Sequence, residues 1–386
     1  MRLLILSTGN NFTPSMLYKE NYIIKAALEK EHEVIVFANQ YTYVKGKECC
    51  ITYTERVDGY IVRRFAYKKI INETITRKIR KVQGIEDAIV EAKPDLIFVN
   101  NAQVYNIKNL DYIKKYLPKV KIVLDFSTKY LNSARNWVSK HILHRFIYRW
   151  WIKQALPYVD KVFYISAESR DFAHEMYNIP YGLMEHNNLP GEMVPEVTKK
   201  EYRDEIRRML GLNSNEVLLM YSGKIYPEKQ VDVMLKAFNR VKNSNIRLLI
   251  IGVYSQEGDY KQEVEAMIKA DSRVIFMNFV TGDELTRFVS GCDLYVQPGS
   301  ISQTCQTAVC CGTPLVFNNI PTHQEIYNGN GFFADNEEEL YGVISSVSNN
   351  PEQLSNMSRM SYKMAEEELD YRIIYQKILV AVGLEN

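Results

Sequence analysis

The chain has 386 residues, 46% of them apolar and 24% charged, with a formal net charge of +2. That length exceeds one typical core and suits two domains of roughly 190 residues each, while the ordinary composition excludes a disordered or fibrous chain. The small net charge conceals an asymmetry: residues 1–200 hold 31 Lys and Arg against 21 Asp and Glu, and residues 201–386 hold 17 against 25, so the first half is expected to meet the more anionic partner.

The basic residues are dispersed and no zinc-finger or aromatic-basic motif accompanies them, so nucleic acid is not an expected partner. Six cysteines, Cys49, Cys50, Cys292, Cys305, Cys310 and Cys311, lack paired CxxC spacing and read as reduced thiols of a cytosolic protein, most of them packing as small hydrophobes. The opening MRLLILSTGNN reads as a first strand rather than a signal peptide. No stretch reaches membrane-spanning length, so contact with a bilayer is expected to be peripheral, on the inner face of the cell membrane.

In chain order, apolar runs predict strands over 2–7, 34–38, 59–64, 95–99, 121–126 and 161–166, with helices over 14–30, 73–90, 107–117 and 136–155. This alternation implies a doubly wound parallel sheet. Segment 39–65 is rich in aromatic and β-branched residues and reads as an irregular or antiparallel addition. The first loop, STGNNFTPSM, offers Thr13 as a helix cap with Pro14 at the first helical position, leaving Asn10 and Asn11 free to reach outward. It lacks the GxGxxG spacing of a dinucleotide site, which argues against oxidoreduction.

Residues 129–156 hold all three tryptophans, Trp137, Trp150 and Trp151, and six Lys or Arg with no acidic residue. Trp137, Ile142, Phe146 and Trp150 suggest one apolar face fringed by Lys140, Arg145, Arg149 and Lys153, the pattern of a helix facing an anionic membrane. The competing reading is a core helix whose tryptophans pack on the sheet. Prolines at 180, 190 and 195 mark 186–204 as a linker. A short helix over 203–210 then leads into strands at 216–222, 246–251, 273–277, 293–297 and 314–318, and the chain ends in a helical stretch, AEEELDYRIIYQKILVAVG.

Two places in this second half carry chemistry. Gly223, Lys224 and Lys229 lie on the connection after the first of these strands, where two cations can turn toward an anion. In DLYVQPGSISQTCQTAVCCGT, a strand is broken by Pro298 and Gly299, Ser302 or Thr304 can cap a short helix, and Gly312 closes it. Such a strand, loop and helix N-terminus can hold a phosphate without a metal.

Together with IRLLIIGV, SRVIFMNFV, THQEI and NGNGFFADNEEEL, these segments resemble the carboxyl-terminal domain of the GT-B glycosyltransferases of family 4, which use nucleotide-sugar donors. The resemblance implies two Rossmann-like domains facing a cleft: an acceptor domain over 1–195, a nucleotide-sugar domain over 205–365, and a terminal helix, 366–386, crossing back to the first. It implies retaining transfer, without cofactor or metal, to a saccharide acceptor on a lipid, polyprenyl-linked, in surface polysaccharide synthesis. Lys224 and Lys229 would then stabilise the leaving diphosphate. Gly223, Gly299, Ser300, Ser302, Gln303 and Thr304 would contact phosphate or sugar, and Val253, Asn278 and Val280 the nucleobase. The family's two donor-loop glutamates are absent and the loop is shorter than usual; Gln306, with Thr307 beside it, would replace the ribose contact. The usual amino-domain histidine is absent as well, leaving Asp125, Ser127 and Thr128 available in VLDFSTKY. Glu325 matches a common acidic position next to His323, and Glu168 and Ser169 either face the cleft or cap a turn. A non-catalytic subunit, or a GT-B enzyme of another substrate class, is the alternative.

Overall fold

The computed structural model describes all residues except 15, 45–46, 131–132, 256, 300–301 and 386. It divides into two compact units, one of residues 1–188 with 374–386 and the other of residues 189–373.

The first unit contains β1 (Arg2–Ser7), β2 (Glu33–Asn39), β3 (Tyr41–Val44), β4 (Lys47–Cys50), β5 (Thr54–Val57), β6 (Tyr60–Phe65), β7 (Leu96–Asn100), β8 (Lys121–Phe126), β9 (Lys161–Tyr164) and β10 (Met184–His186). Eight of these form one sheet in the order β10-β9-β8-β7-β1-β2-β6-β5. All neighbours run parallel except β5, which pairs antiparallel with β6. β3 and β4 form a separate antiparallel pair, which accounts for the aromatic and β-branched content of 39–65. The tail supplies Ile374, Tyr375, Ile378 and Leu379 to the buried interior, and the Tyr375 hydroxyl lies 2.9 Å from Nδ1 of His32.

The second unit contains β11 (Val217–Ile225), β12 (Ile246–Tyr254), β13 (Val274–Met277), β14 (Leu294–Gln297), β15 (Leu315–Phe317) and β16 (Gly331–Phe333), all parallel, in the order β13-β12-β11-β14-β15-β16. Side chains alternate across the sheet. Val217, Leu219 and Tyr221 of β11 join one buried cluster with the helix Val231–Arg240. Leu218 and Met220 join another with the helices Gly282–Gly291 and Gln303–Cys310. Both faces are thus buried, which is why the strands read as continuous apolar runs. Cys292, Cys305, Cys310 and Cys311 are buried in the second cluster.

Several helices depart from their expected limits. The first starts at Lys19 rather than Pro14, because the Thr13 hydroxyl accepts from the Tyr43 amide (3.1 Å) and lies 3.2 Å from Thr42 Oγ1 instead of capping. The helix expected over 73–90 splits into Glu73–Ile79 and Ile85–Ala92, separated by Arg80 at φ 52° and Gly84 at φ 71°. The helix expected over 203–210 begins earlier, at Glu196, directly after Pro195. Over 136–155 the chain forms wide π-type turns, Val138–Tyr148, continuing into an α-helix, Arg149–Ala155.

Candidate functional site

The second unit has the strand order 3-2-1-4-5-6 when its strands are counted along the chain, so the connections leaving β11 and β14 turn to opposite sides and open a crevice at the strands' carboxyl ends. Gly223, near the end of β11, adopts φ 142°, and its carbonyl oxygen would lie 2.4 Å from a Cβ at Gly252, so the two strand ends need bare backbone. Lys224 follows, exposed, with no carboxylate partner among the described residues. Lys229 closes the short turn Pro227–Lys229 and is only 7% exposed.

Gly299 ties the second loop to the first. It sits at φ 73°, and a Cβ there would come within 2.4 Å of the Glu228 carbonyl oxygen and 3.2 Å of Lys229 Cα. The lysine turn and the loop after β14 are therefore in backbone contact. Burial raises the pKa of the Cys305 thiol, while hydrogen bonding to Ser302 and, last, the charge of Lys229 act in the opposite sense.

Ser302 occupies the cap position of that helix with extended backbone, but its side chain does not cap. Its hydroxyl instead donates to Gln297 Oε1 at 2.8 Å. The positive end of the helix is thus left without a side-chain cap, the condition in which it best receives an anion. Gln297 is held in turn by the buried Tyr295 hydroxyl (3.4 Å), which also bonds Ser222 O at 3.1 Å. The Gly299 amide donates to Asn318 Oδ1. Sequence reasoning passed over Ser222, Tyr295, Gln297 and Asn318; the signal was polar residues closing three apolar strands.

The remaining residues expected on the donor side are placed as follows. Gln303 donates from its amide to Pro190 O, and Thr304 is buried. Gln306 is 3% exposed, and with its amide turned to satisfy its surroundings the nitrogen donates to Ser302 O (2.9 Å) and Gln303 O (3.3 Å). The Thr307 hydroxyl likewise bonds Gln303 O at 3.4 Å. Both side chains are engaged on their own helix rather than held out toward a ribose. Val253 lies within β12, which runs to Tyr254, longer than expected. Asn278 is exposed after β13, and Val280 is half-buried against the core. Ser300 lies outside the described residues. His323 is buried, with Nδ1 2.9 Å from Asn318 O and its ring stacked on Phe317; Glu325 is half-buried.

In the first unit, Asp125 is the next-to-last residue of β8 but is not left available. It is buried and paired with Lys19 at 2.6 Å, and Lys19 Nζ also donates to Asn187 O at 3.3 Å. Asn10 and Asn11 are likewise engaged, Asn10 with Asn100 and Asn101, and Asn11 with Glu48. Ser169 forms a capping box with Ser166, and Glu168 pairs with Lys129 at 3.4 Å, so the turn-capping alternative holds for Ser169. Next to Lys19, Glu20 was missed. Burial raises its carboxyl to about 7, a hydrogen bond to its own backbone opposes this, and the Asp125 charge adds to the rise. The helix expected over 14–30 would put Lys19 and Glu20 in its interior; they instead open the helix, and Lys19 meets Asp125 near the carboxyl end of β8. Among the described residues no group of three His, Cys, Asp or Glu comes together to hold a metal.

Residues 202–364 match the model of the family "Glycosyl transferases group 1". Over 130 residues the chain is 25% identical to the lipopolysaccharide 1,2-N-acetylglucosaminetransferase of Salmonella typhimurium, covering 31% of this chain and 34% of that enzyme. It is 26% identical over 178 residues to the processive diacylglycerol beta-glucosyltransferase of Staphylococcus aureus, covering 44% and 43%. These matches thus span less than half the length of either relative. In three dimensions the whole chain superposes on Anabaena Alr3699/HepE in complex with UDP and glucose, with a TM-score of 0.67 at 15% identity and full coverage of both chains.

Proposed function

Starting from a chain of GT-B fold related to the group 1 glycosyl transferases, we propose that it moves a sugar from a nucleotide-sugar donor to a saccharide carried on a lipid, with retention at the anomeric carbon, in building a surface polysaccharide. The observation that carries this reading is the backbone contact of Gly299 with Glu228 and Lys229, which brings the lysine turn beside the uncapped start of Gln303–Cys310. The barrier in such a reaction is departure of the diphosphate. Charge growing on its oxygens is met by Lys224 and Lys229 and by the helix's leading amides, groups already oriented before the bond breaks. These supply the positive charge that a metal would otherwise bring. Gly223 and Gly299 let the backbone approach the phosphates, while Val253, Asn278 and Val280 face the nucleobase.

The first unit is assigned to the acceptor, because it carries the positive excess and exposes Trp137, Ile142, Phe146 and Trp150. Among the described residues no helix is long and apolar enough to cross a membrane, so this unit is proposed to work from the inner membrane surface. The relatives' names, lipopolysaccharide and diacylglycerol, fit an acceptor of that kind. A second reading, a non-catalytic subunit, is favoured by Gln306 and Thr307 being turned onto their own helix; it predicts nucleotide binding without turnover.

Replacing Lys224 or Lys229 with Met is expected to lower turnover tenfold or more, since a hydrogen bond to a charged group contributes roughly 1.5–3 kcal/mol. Rates are to be followed by mass spectrometry with a panel of nucleotide sugars. Normal rates and donor affinity in both variants would reject the assignment.

A further inference from the structure

A second polar site lies in the first unit, apart from the residues assigned to the donor. A cavity of about 220 Å³ is lined by Lys78, Arg80, Gln103, Arg135, His144 and Tyr148, among others, and no described lining residue is acidic. Lys78 and Arg135 have no ion-pair partner among the described residues. Arg80 donates only to backbone carbonyls, Arg77 O at 3.1 Å and Gln103 O at 3.2 Å. Three cations thus converge without a carboxylate, an arrangement that self-repulsion disfavours unless an anion joins them.

The wall behind them is a neutral hydrogen-bonded network. Gln103 Nε2 donates to Thr128 Oγ1 (2.8 Å) and to the Tyr177 hydroxyl (2.9 Å). The Tyr177 hydroxyl in turn lies 2.7 Å from His144 Nδ1. Burial, with Lys78 and Arg80 adding to it, lowers the His144 pKa to about 4, so the ring stays neutral near pH 7. Gln103 follows β7, and the segment from Ala134 to Tyr148 follows β8, so the cavity lies at the carboxyl ends of parallel strands, where open sheets bind ligands.

The same segment bears the exposed aromatic row. Trp137, Ile142, Phe146 and Trp150 are 68%, 44%, 73% and 51% exposed, whereas His144 and Tyr148 of the same turns are buried. Their steps of five, four and four residues miss a 3.6-residue stripe but fit the wider i→i+5 turns of Val138–Tyr148. One segment therefore offers an oxyanion pocket and an apolar, membrane-ready surface, the complement of a phosphate attached to a long hydrocarbon. Resting on the lipid-linked acceptor reading above, we infer that this cavity binds the phosphate joining the acceptor saccharide to its lipid.

The test is calorimetric titration of the full chain with farnesyl phosphate, farnesol and inorganic phosphate, beside the double variant Lys78→Gln/Arg135→Gln. Both side chains are exposed and make no bond the fold requires, so the variant is expected to melt as the parent does. Farnesyl phosphate should bind at least tenfold more tightly than farnesol or inorganic phosphate, and the variant should lose at least tenfold of that affinity. Phe146→Ser/Trp150→Ser should also weaken farnesyl phosphate while leaving inorganic phosphate unchanged. Equal affinity for farnesyl phosphate and farnesol would overturn the proposal, as would an unaffected double variant. Equal affinity for inorganic phosphate would remove the lipid from it. A loss of binding to phosphatidylglycerol vesicles as large as that for farnesyl phosphate would reassign the cavity to bilayer headgroups and overturn it too. UDP titrated into the parent separates the two claims: UDP binding without farnesyl phosphate binding sinks the cavity alone, and absence of UDP binding sinks the transferase reading.

Discussion

Glu20 is a carboxyl whose environment was set by where a helix begins. Its pKa is raised from 4.5 to about 7, first by burial and then, against a hydrogen bond to its own backbone, by Asp125. Between those values the folded chain holds a proton that the unfolded chain releases, so stability must fall as pH rises through this window. The loss approaches roughly 3 kcal/mol above pH 7. Glu20→Gln is expected to match the parent near pH 5 and to exceed its stability near pH 8, as read from urea unfolding at both values. A parent whose stability does not fall between them would show that Glu20 ionises freely. The positions of Lys224 and Lys229 after a strand were readable from spacing alone; the burial of Glu20 was not, because Thr13 and Pro14 mimic a helix start that tertiary bonding to Thr42 and Tyr43 overrides.

At the scale of elements, the proposed donor site is two loops that depend on one residue without a side chain. Gly299 combines φ 73° with backbone contact to Glu228 and Lys229. Gly299→Ala must therefore move one loop away from the other, and the left-handed backbone alone costs about 1–2 kcal/mol. A lowered melting temperature and a several-fold loss of nucleotide affinity are expected. An alanine variant that melts and titrates as the parent does would show that the loops' contact is dispensable. Parallel strands buried on both faces were readable as apolar runs, and β8 falls on its expected limits, Lys121–Phe126. The short β10 and β16 were not, since three residues each carry no period. The row at Trp137, Ile142, Phe146 and Trp150 steps by more than 3.6 residues because the backbone over Val138–Tyr148 takes wider turns.

At the scale of the whole molecule, the likeness to known transferases and the features proposed to serve an acceptor lie in different units. The family match covers 202–364, inside the second unit, where the strand order creates the switch point. The positive excess, the aromatic row and the cation-lined cavity belong to the first. Sequence could give the fold class because both halves alternate strands with helices. It could not give the burial of Gln306 or the Lys19–Asp125 pair, which depend on side-chain packing that spacing does not encode. The central claim is that the donor diphosphate is held in the second unit between the lysine turn and the helix start. Amide hydrogen exchange with and without saturating UDP tests it most directly. The account predicts slowed exchange over 223–230 and 302–307, with the strands of the first unit unchanged; no slowing at those two segments, or slowing confined to the first unit, would contradict it.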